Sequence, residues 1–179
     1  MSAAQGVYYR RQDYLGVGRR LLIDVIDFPV AVLLWYEAGL LVRPLVTDPE
    51  GPLLLLLCAV WFAYFVLLKR SRFRTLGYVA AGARIVALEG GRPGIMSLVA
   101  RLLFALAGPL NFVIDIAWLT GELDRQAFRD KFAGTYVVRL PAVPAGSGPI
   151  VRRTVMFWGM TFVFREVSRV ADEAPARVA

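Results

Sequence analysis

The feature that most constrains this chain is a long apolar run over residues 21–42, which begins directly after Arg20 and carries Asp24 and Asp27 in its first turns. As one helix the run is roughly 33 Å long at about 1.5 Å per residue, enough to cross a bilayer. At helical pitch the three charged side chains project from nearly one stripe. A charged aspartate near the bilayer centre costs about 2.5–3.5 kcal/mol, so such residues normally face protein or water. The run therefore predicts a membrane helix with one charged face.

Two interpretations of this charged face remain open. In the first, Arg20 anchors the helix at the membrane surface and the aspartates neutralise it. In the second, the face is a polar ion or proton site, and Pro29 contributes to it because its missing N–H leaves a carbonyl oxygen free one turn back. We expect Arg20 to pair with Asp24, which lies at i+4. We expect Asp27 to face Arg101 or a hairpin formed later in the chain.

The composition supports a membrane protein and excludes several kinds of catalytic site. The chain is 58% hydrophobic, against about 45–50% for an ordinary soluble domain. Its 21 basic residues exceed its 14 acidic ones, and we expect this surplus to meet anionic lipid rather than nucleic acid. The absence of histidine excludes His-based triads, the usual zinc sites and the ordinary pH switch. Cys58 is the only cysteine, so no disulfide can form within one chain.

A second apolar run and its flanks indicate the topology. Residues 52–68 are apolar and near the lower limit of length for a span. A basic cluster follows at residues 69–74, which is typical of a cytoplasmic flank. The N-terminal arm is also basic, whereas the connection at residues 43–51 holds one base. We therefore expect two spans, with the N-terminus in the cytoplasm.

The apolar stretch at residues 97–120 admits two interpretations. As one helix it is a third span; broken at Gly108-Pro109 it becomes two half-helices that re-enter on the same side. Four bases follow it: Arg125, Arg129, Lys131 and Arg139. We favour the hairpin because it keeps these bases in the cytoplasm. It also lets residues 135–138 pair with residues 84–88 as short strands.

The last part of the chain has a different composition. Residues 141–149 are rich in proline and glycine and predict a linker. Residues 154–164 are apolar but too short to span, and they predict an interfacial or oligomer-contacting segment. Residues 171–179 have the composition of a mobile tail. The expected fold class is an all-α integral membrane protein with two full transmembrane helices, a re-entrant or third transmembrane segment and a small cytoplasmic β-hairpin-like element.

Four segments of the chain carry a recognisable pattern. They are GRRLL at residues 18–22 with Ile26-Asp27, RTLG at 74–77, ARIV at 83–86, and RQAFRDKFAGTYVV at 125–138. Together they resemble the RDD family of prokaryotic membrane proteins, which is named for one arginine and two aspartates. The resemblance implies that Arg20 is the family arginine and that Asp27 and Asp130 are the two aspartates. Family members often have histidine before the second aspartate, and Arg129 stands there in this chain, so no relay through that histidine carries over.

The resemblance covers about residues 15–140 and implies a membrane domain at residues 1–140, followed by linker, interfacial segment and tail at residues 141–179. It also implies a cell (inner) membrane location with several passes. The family's role is poorly defined, and transport has been proposed for it. The expected function is therefore transport or sensing of a cation or proton. The candidate ion or proton site comprises Arg20, Asp24, Asp27, Arg101, Asp115 and Asp130.

Two spans and a hairpin cannot enclose a transport path, so this function requires a homo-oligomer or a membrane partner. The alternative is a membrane scaffold that does not transport and whose basic cytoplasmic face binds anionic lipid or another protein. An enzyme is the least favoured class, because no pair of nucleophile and base emerges. We expect no cofactor, no metal site and no nucleic-acid partner.

Overall fold

The computed structural model describes residues 4–108, 110–121, 125–157 and 159–169. Within these ranges the chain forms six α-helices: α1 Val17–Val42, α2 Glu50–Phe62, α3 Leu76–Ala80, α4 Ile95–Leu106, α5 Leu110–Gly121 and α6 Phe128–Ala133. It also forms five strands: β1 Gln5–Tyr8, β2 Ala83–Ala87, β3 Thr135–Arg139, β4 Gly146–Phe157 and β5 Met160–Val167. The fold is helix-rich with long apolar helices, as predicted, but the expectation of an all-α protein is wrong.

In the described part of the chain, two helical segments are long and apolar enough to cross a membrane. They are Val17–Leu45 and Glu50–Leu68. The second ends in six residues of π-helix. The two segments pack antiparallel, since Trp35 Nε1 donates to the Leu53 carbonyl at 3.3 Å while the rings of Phe28 and Trp61 lie 5.7 Å apart. Their outer faces expose large apolar side chains, a surface that suits lipid.

The third apolar stretch is broken near the predicted position. Helix α4 ends at Leu106 and α5 begins at Leu110. Between them Gly108 has φ 123°, a conformation that favours glycine; Pro109 lies outside the described residues. Both helices contact α6, so the chain turns back after the break. The position of this hairpin in a bilayer stays a prediction.

The first sheet brings together two distant parts of the chain. Strand β2 pairs antiparallel with β3, from Ala83 opposite Arg139 to Ala87 opposite Thr135. The predicted pairing of these two segments is confirmed. The connection is not a tight hairpin, because α4, α5 and α6 lie between the strands. Gly134, with φ 63°, ends α6 and leads the chain directly into β3.

The second sheet, in the order β1-β4-β5, joins the N-terminal arm to the end of the described chain. None of its three strands was predicted from the sequence. The prediction of a linker at residues 141–149 is wrong for the second half of that range, since β4 begins at Gly146 and pairs with β1. The apolar segment at residues 154–164 lies in the β4–β5 hairpin, where apolar residues on both faces hide the alternation that marks a strand. The predicted tail at residues 171–179 lies outside the described residues.

Aromatic contacts fix α6 against its neighbours. The rings of Trp118 in α5 and Phe128 in α6 lie 5.1 Å apart, and Phe164 of β5 lies 5.6 Å from Phe128. All three side chains are buried. Close aromatic packing of this kind holds a short helix that has little stability of its own. Helix α6 is therefore held rigidly between the hairpin and the second sheet.

Candidate functional site

Asp130 is the centre of a buried ionic group. It is the third residue of α6, and its side chain is 0% exposed. One carboxylate oxygen binds the guanidinium of Arg20 from α1, and the other binds that of Arg101 from α4. Both arginines are buried as well. One carboxylate therefore joins three helices that are far apart in the sequence.

Neighbouring groups orient the two guanidiniums. Arg20 donates from Nε to the Leu15 carbonyl at 3.2 Å and from Nη2 to the Arg125 carbonyl at 2.8 Å. Arg101 donates from Nη1 to the hydroxyl of Thr135 at 2.9 Å. Buried charges are tolerated when they are paired and their remaining donors are bound. These contacts meet most of that requirement and leave the arginines little freedom to move.

The surroundings of Asp130 keep its carboxylate ionised. Burial alone would raise its pKa, but the positive charges of Arg101 and Arg20 outweigh burial and lower the pKa to about 2. The backbone N–H of Ala127 also donates to the carboxylate, at 3.2 Å. A carboxyl group with so low a pKa does not exchange protons near neutral pH. Asp130 is therefore a fixed anion and is unsuited to carry a proton.

Arg129 bridges a second ionic group beside the first. Its Nη2 lies 2.8 Å from Oδ2 of Asp24, and its Nε lies 2.9 Å from Oδ2 of Asp115. The contact of Nε with Asp115 is too bent for a hydrogen bond, but the backbone N–H of Arg129 donates to Oδ1 of Asp115 at 2.9 Å. Burial alone would lower the pKa of Arg129, but the two carboxylates raise it. Arg129 therefore stays charged.

The expected pair between Arg20 and Asp24 is wrong, because each residue has a partner on α6 instead. A pair at i and i+4 on a helix surface contributes only about 0.2–0.5 kcal/mol. The buried carboxylate of Asp130 is a stronger partner for Arg20, since it lies in a medium of lower dielectric constant. Asp24 is left to bind Arg129.

Asp27 lies apart from both ionic groups, in a socket of neutral donors. Its fully buried carboxylate accepts hydrogen bonds from the Tyr64 hydroxyl at 3.0 Å, the Thr75 hydroxyl at 2.6 Å and the Gly77 backbone N–H at 2.7 Å. The expected contact with Arg101 is wrong, because that arginine is part of the Asp130 group. The three donors come from the π-helical end of the second span and from the start of α3. Asp27 therefore ties both segments to α1.

The socket requires glycine at position 77. A Cβ there would lie 2.5 Å from the Ile23 carbonyl oxygen and 2.8 Å from Oδ1 of Asp27. Just before the socket, Arg74 has φ 62°, a left-handed conformation that is uncommon for a residue other than glycine. This turn directs Thr75 toward the carboxylate. The RTLG segment at residues 74–77 is thus shaped by its contact with Asp27.

Lys69 follows the second span and lies between the ionic groups and the protein surface. Its Nζ lies 5.0 Å from the ring centroid of Phe65 and 4.9 Å from that of Tyr78. Across the described part of the chain no carboxylate pairs with it. Burial, reinforced by the positive charge of Arg101, lowers the pKa of Lys69 to about 7. In a chain without histidine, Lys69 can change its charge near neutral pH.

Two small cavities flank Arg129. Each has a volume of about 20 Å³, room for roughly one water molecule. Asp24 lines both cavities, Lys69 lines one and Asp115 lines the other. Asp27 and the aspartate of α6 line neither of them. The acidic residues therefore converge only in part, on Arg129 and not on one open chamber.

The six predicted residues are all at least half-buried, and five of them belong to the two ionic groups. Sequence reasoning missed Arg129, Lys69 and Thr75. Arg129 had a signal, because it replaces the histidine that the resemblance leads one to expect. Lys69 had a weaker one as the first base after an apolar span. Among the described residues no group of three or more histidine, cysteine or acidic side chains is arranged to hold a metal ion.

Comparison with known proteins gives one match. The sequence model of the RDD family matches residues 14–134, about two thirds of the chain. That range includes every charged residue of the two ionic groups and the whole Asp27 socket. No curated protein matches the chain, and no solved structure matches it.

Proposed function

The chain belongs to the RDD family, and on that premise we propose that this membrane protein is a multi-pass protein of the cell (inner) membrane that takes part in cation or proton transport. The proposal has three parts: a topology, a transport site and an assembly. Each is supported by a different set of contacts.

Backbone pairing supports a topology in which the α4–α5 hairpin re-enters. Strands that share backbone hydrogen bonds lie on one side of a bilayer. Because β2 precedes the hairpin and its partner β3 follows it, the hairpin returns to the side from which it left. Each of its helices has twelve residues, or roughly 18 Å, too short to span. The basic loops on this side support a cytoplasmic location for it, together with β1 and β4.

Cysteine labelling tests this topology. In a Cys58→Ala background, single cysteines at Thr47 and Ser147, both exposed, should be labelled from opposite sides of the membrane. Labelling of both from outside the cell contradicts the re-entrant hairpin and makes it a third span.

The transport site rests on one observation, the bridge that Arg129 makes between Asp24 of α1 and Asp115 of α5. Ionisable residues at membrane depth commonly mark ion or proton paths. Two carboxylates that share one guanidinium keep a net charge of −1, so they can take up a proton or a metal ion. Protonation of either carboxylate weakens its hold on Arg129 and frees that side of the bridge. Lys69 lines the same cavity as Asp24 and can give or take the proton near neutral pH.

The assembly follows from the size of these cavities. At about 20 Å³ each, they hold roughly single waters and do not form a continuous path. A second copy of the chain or a membrane partner is therefore needed to complete the path. The outer faces of α1 and α2, with their exposed apolar side chains, are available for such contacts.

Flux through proteoliposomes tests the transport site. The wild type should dissipate an imposed proton, sodium or potassium gradient, as read inside the vesicles by a pH-sensitive dye for protons and by a dye selective for each metal ion. Asp115→Asn and Asp24→Asn should each lower the rate at least tenfold. Asp48→Asn, which removes an exposed acid from the connection between the spans, is the matched control and should leave the rate unchanged. Wild-type vesicles that keep all three gradients intact refute the proposal.

A membrane scaffold is the second candidate function. It is favoured by the close pairing within the two ionic groups, because buried charges bound to partners are also what a rigid structural core requires. In that case the basic cytoplasmic face binds anionic lipid or a partner protein. Absence of flux, together with retained binding to anionic membranes, supports the scaffold over transport.

A further inference from the structure

A cleft of about 410 Å³ opens on the side of β2 and shares Lys69 with one of the small cavities beside Arg129. Its walls are the turn that follows the second span, strand β2 and the glycine-rich turn after it. Six basic side chains line it: Lys69, Arg70, Arg72, Arg74, Arg84 and Arg92. Among the residues that the structure describes, no acidic side chain is part of the lining. Cavities of about 300–1,000 Å³ are the usual size for small-molecule sites.

The positive charge of this cleft is not neutralised by the protein. Across the described part of the chain, none of the six bases forms an ion pair with a carboxylate. Elsewhere the same protein pairs its buried charges closely, as at Asp130. The five arginines stay charged, repel each other and create a strong positive field, to which Lys69 adds when it is protonated. Such a field favours an anion with more than one negative charge.

Three of the arginines are held in place by backbone carbonyls. Arg70 donates from Nε to Pro93 at 3.1 Å, and Arg74 donates from Nη1 to Ala83 at 3.1 Å. Arg84 donates from Nη2 to a carbonyl at 2.7 Å, while its buried Nε has no partner among the described residues. Each guanidinium keeps further N–H donors for a ligand. Guanidinium groups fixed in this way match the oxygens of phosphate, which they bind through two parallel hydrogen bonds.

The geometry points to a binding site for a phosphate-bearing ligand in this cleft, with Arg74 and Arg84 as the principal ligands of the phosphate. The cleft adjoins the end of a membrane span, so a lipid headgroup and a soluble phosphate compound can both reach it. The shared chemistry is a phosphate group carrying one or more negative charges. This inference goes beyond transport and gives the scaffold candidate a defined site.

Binding is tested on the full chain purified in detergent and in nanodiscs. Inorganic phosphate and pyrophosphate are titrated by calorimetry against the detergent-solubilised protein. Nanodiscs of phosphatidylcholine are compared with nanodiscs that contain phosphatidylglycerol, and lipid retention is read by native mass spectrometry. Saturable pyrophosphate binding identifies a soluble ligand. Retention of phosphatidylglycerol without binding of either soluble anion identifies a lipid headgroup.

The site residues are tested with a matched control. Arg74→Gln with Arg84→Gln should weaken binding at least tenfold. Arg10→Gln with Arg11→Gln removes the same charge from exposed positions outside the cleft and should leave binding unchanged. If the first variant does not fold, Arg72→Gln with Arg92→Gln replaces it, because these side chains are exposed and have no hydrogen bond to the protein in the described residues.

Equal loss of binding in the cleft variant and in the control means that only diffuse charge acts, and it overturns the site. Absence of saturable binding by any of the probes overturns it as well. Neither result depends on flux, so a failure of this inference is distinguishable from a failure of the transport proposal.

Discussion

Replacing Gly77 by alanine is the sharpest test of the Asp27 socket. The new Cβ would lie 2.5 Å from the Ile23 carbonyl oxygen and 2.8 Å from Oδ1 of Asp27. The first atom belongs to the backbone of α1, and the carboxylate is held from its other side by Thr75. Helix α3 must therefore move away from α1, which breaks the 2.7 Å hydrogen bond from the Gly77 N–H to Asp27.

Two effects set the size of the expected loss. Overpacking a close contact costs about 1–3 kcal/mol, and loss of a hydrogen bond to a charged group costs about 1.5–3 kcal/mol. Because movement of α3 relieves part of the clash, the two do not add fully, and we expect a loss of about 2–4 kcal/mol. For a chain of this length that lowers the melting temperature by roughly 5–15 °C.

The assay is thermal unfolding of the detergent-solubilised protein, followed by tryptophan fluorescence. Gly18→Ala is the matched control, because Gly18 lies in α1 with nothing within 4 Å of a new Cβ. That variant should melt at the wild-type temperature or slightly above it, since alanine favours helix by about 0.5–1 kcal/mol over glycine. If Gly77→Ala melts together with this control, the close approach of α3 to α1 is wrong.

Three further predictions concern the charged residues. The first uses double-mutant cycles read by thermal melting. Arg20→Gln with Asp130→Asn should show an interaction energy of about 1–3 kcal/mol, whereas Arg20→Gln with Asp24→Asn should be additive within about 0.5 kcal/mol. Strong coupling of Arg20 to Asp24 and none to Asp130 contradicts the pairing in the structure. The second concerns acid unfolding, because the pKa of Asp130 is lowered from 3.8 to about 2. Its contribution of about 2 kcal/mol to the free energy of unfolding is present above pH 3.8 and is lost as pH falls through about 2. Acid titration of Asp130→Asn should lack this loss. The pKa of Lys69 is lowered from 10.5 to about 7 by burial, with opposing effects from Arg101 and Arg129 on one side and Asp24 and Asp27 on the other. Between pH 7 and pH 10.5 the unfolded chain keeps the proton that the folded chain has released, so the stability of the fold rises with pH. Lys69→Met should remove that rise from melting curves recorded across this pH range. If the slope is unchanged in the variant, Lys69 does not titrate in this range.

Much of the fold follows from the sequence alone. The two long apolar helices, the break near Gly108 and the pairing of β2 with β3 depend on hydropathy, on glycine and proline, and on the distribution of charge between loops. These signals are local or additive along the chain, so they can be recognised without a structure. The second sheet escaped recognition because β4 and β5 carry apolar residues on both faces in their outer halves.

The candidate site was predicted in part. All six charged residues lie in or beside the charged interior. Five of them stand in or at the start of an apolar run, where a charge must face protein, water or a partner, and the sixth, Asp130, was identified by the family resemblance. Their partners were not predictable in this way. Arg20 had an acidic residue one turn away, yet it binds Asp130, 110 positions later in the sequence.

The sequence by itself determined that this chain has membrane helices with a charged face, and that the face must be covered. The tertiary structure decided which charge meets which, because partner choice depends on distances and burial that arise only when α1, α4 and α6 pack together. The carboxylate of Asp130 is a fixed anion because two guanidiniums converge on it. The carboxylate of Asp27 instead connects separate segments of the chain, because three neutral donors bind it. The local sequences differ, with an apolar run around Asp27 and basic residues around Asp130, but neither identifies the partners, which lie elsewhere in the chain.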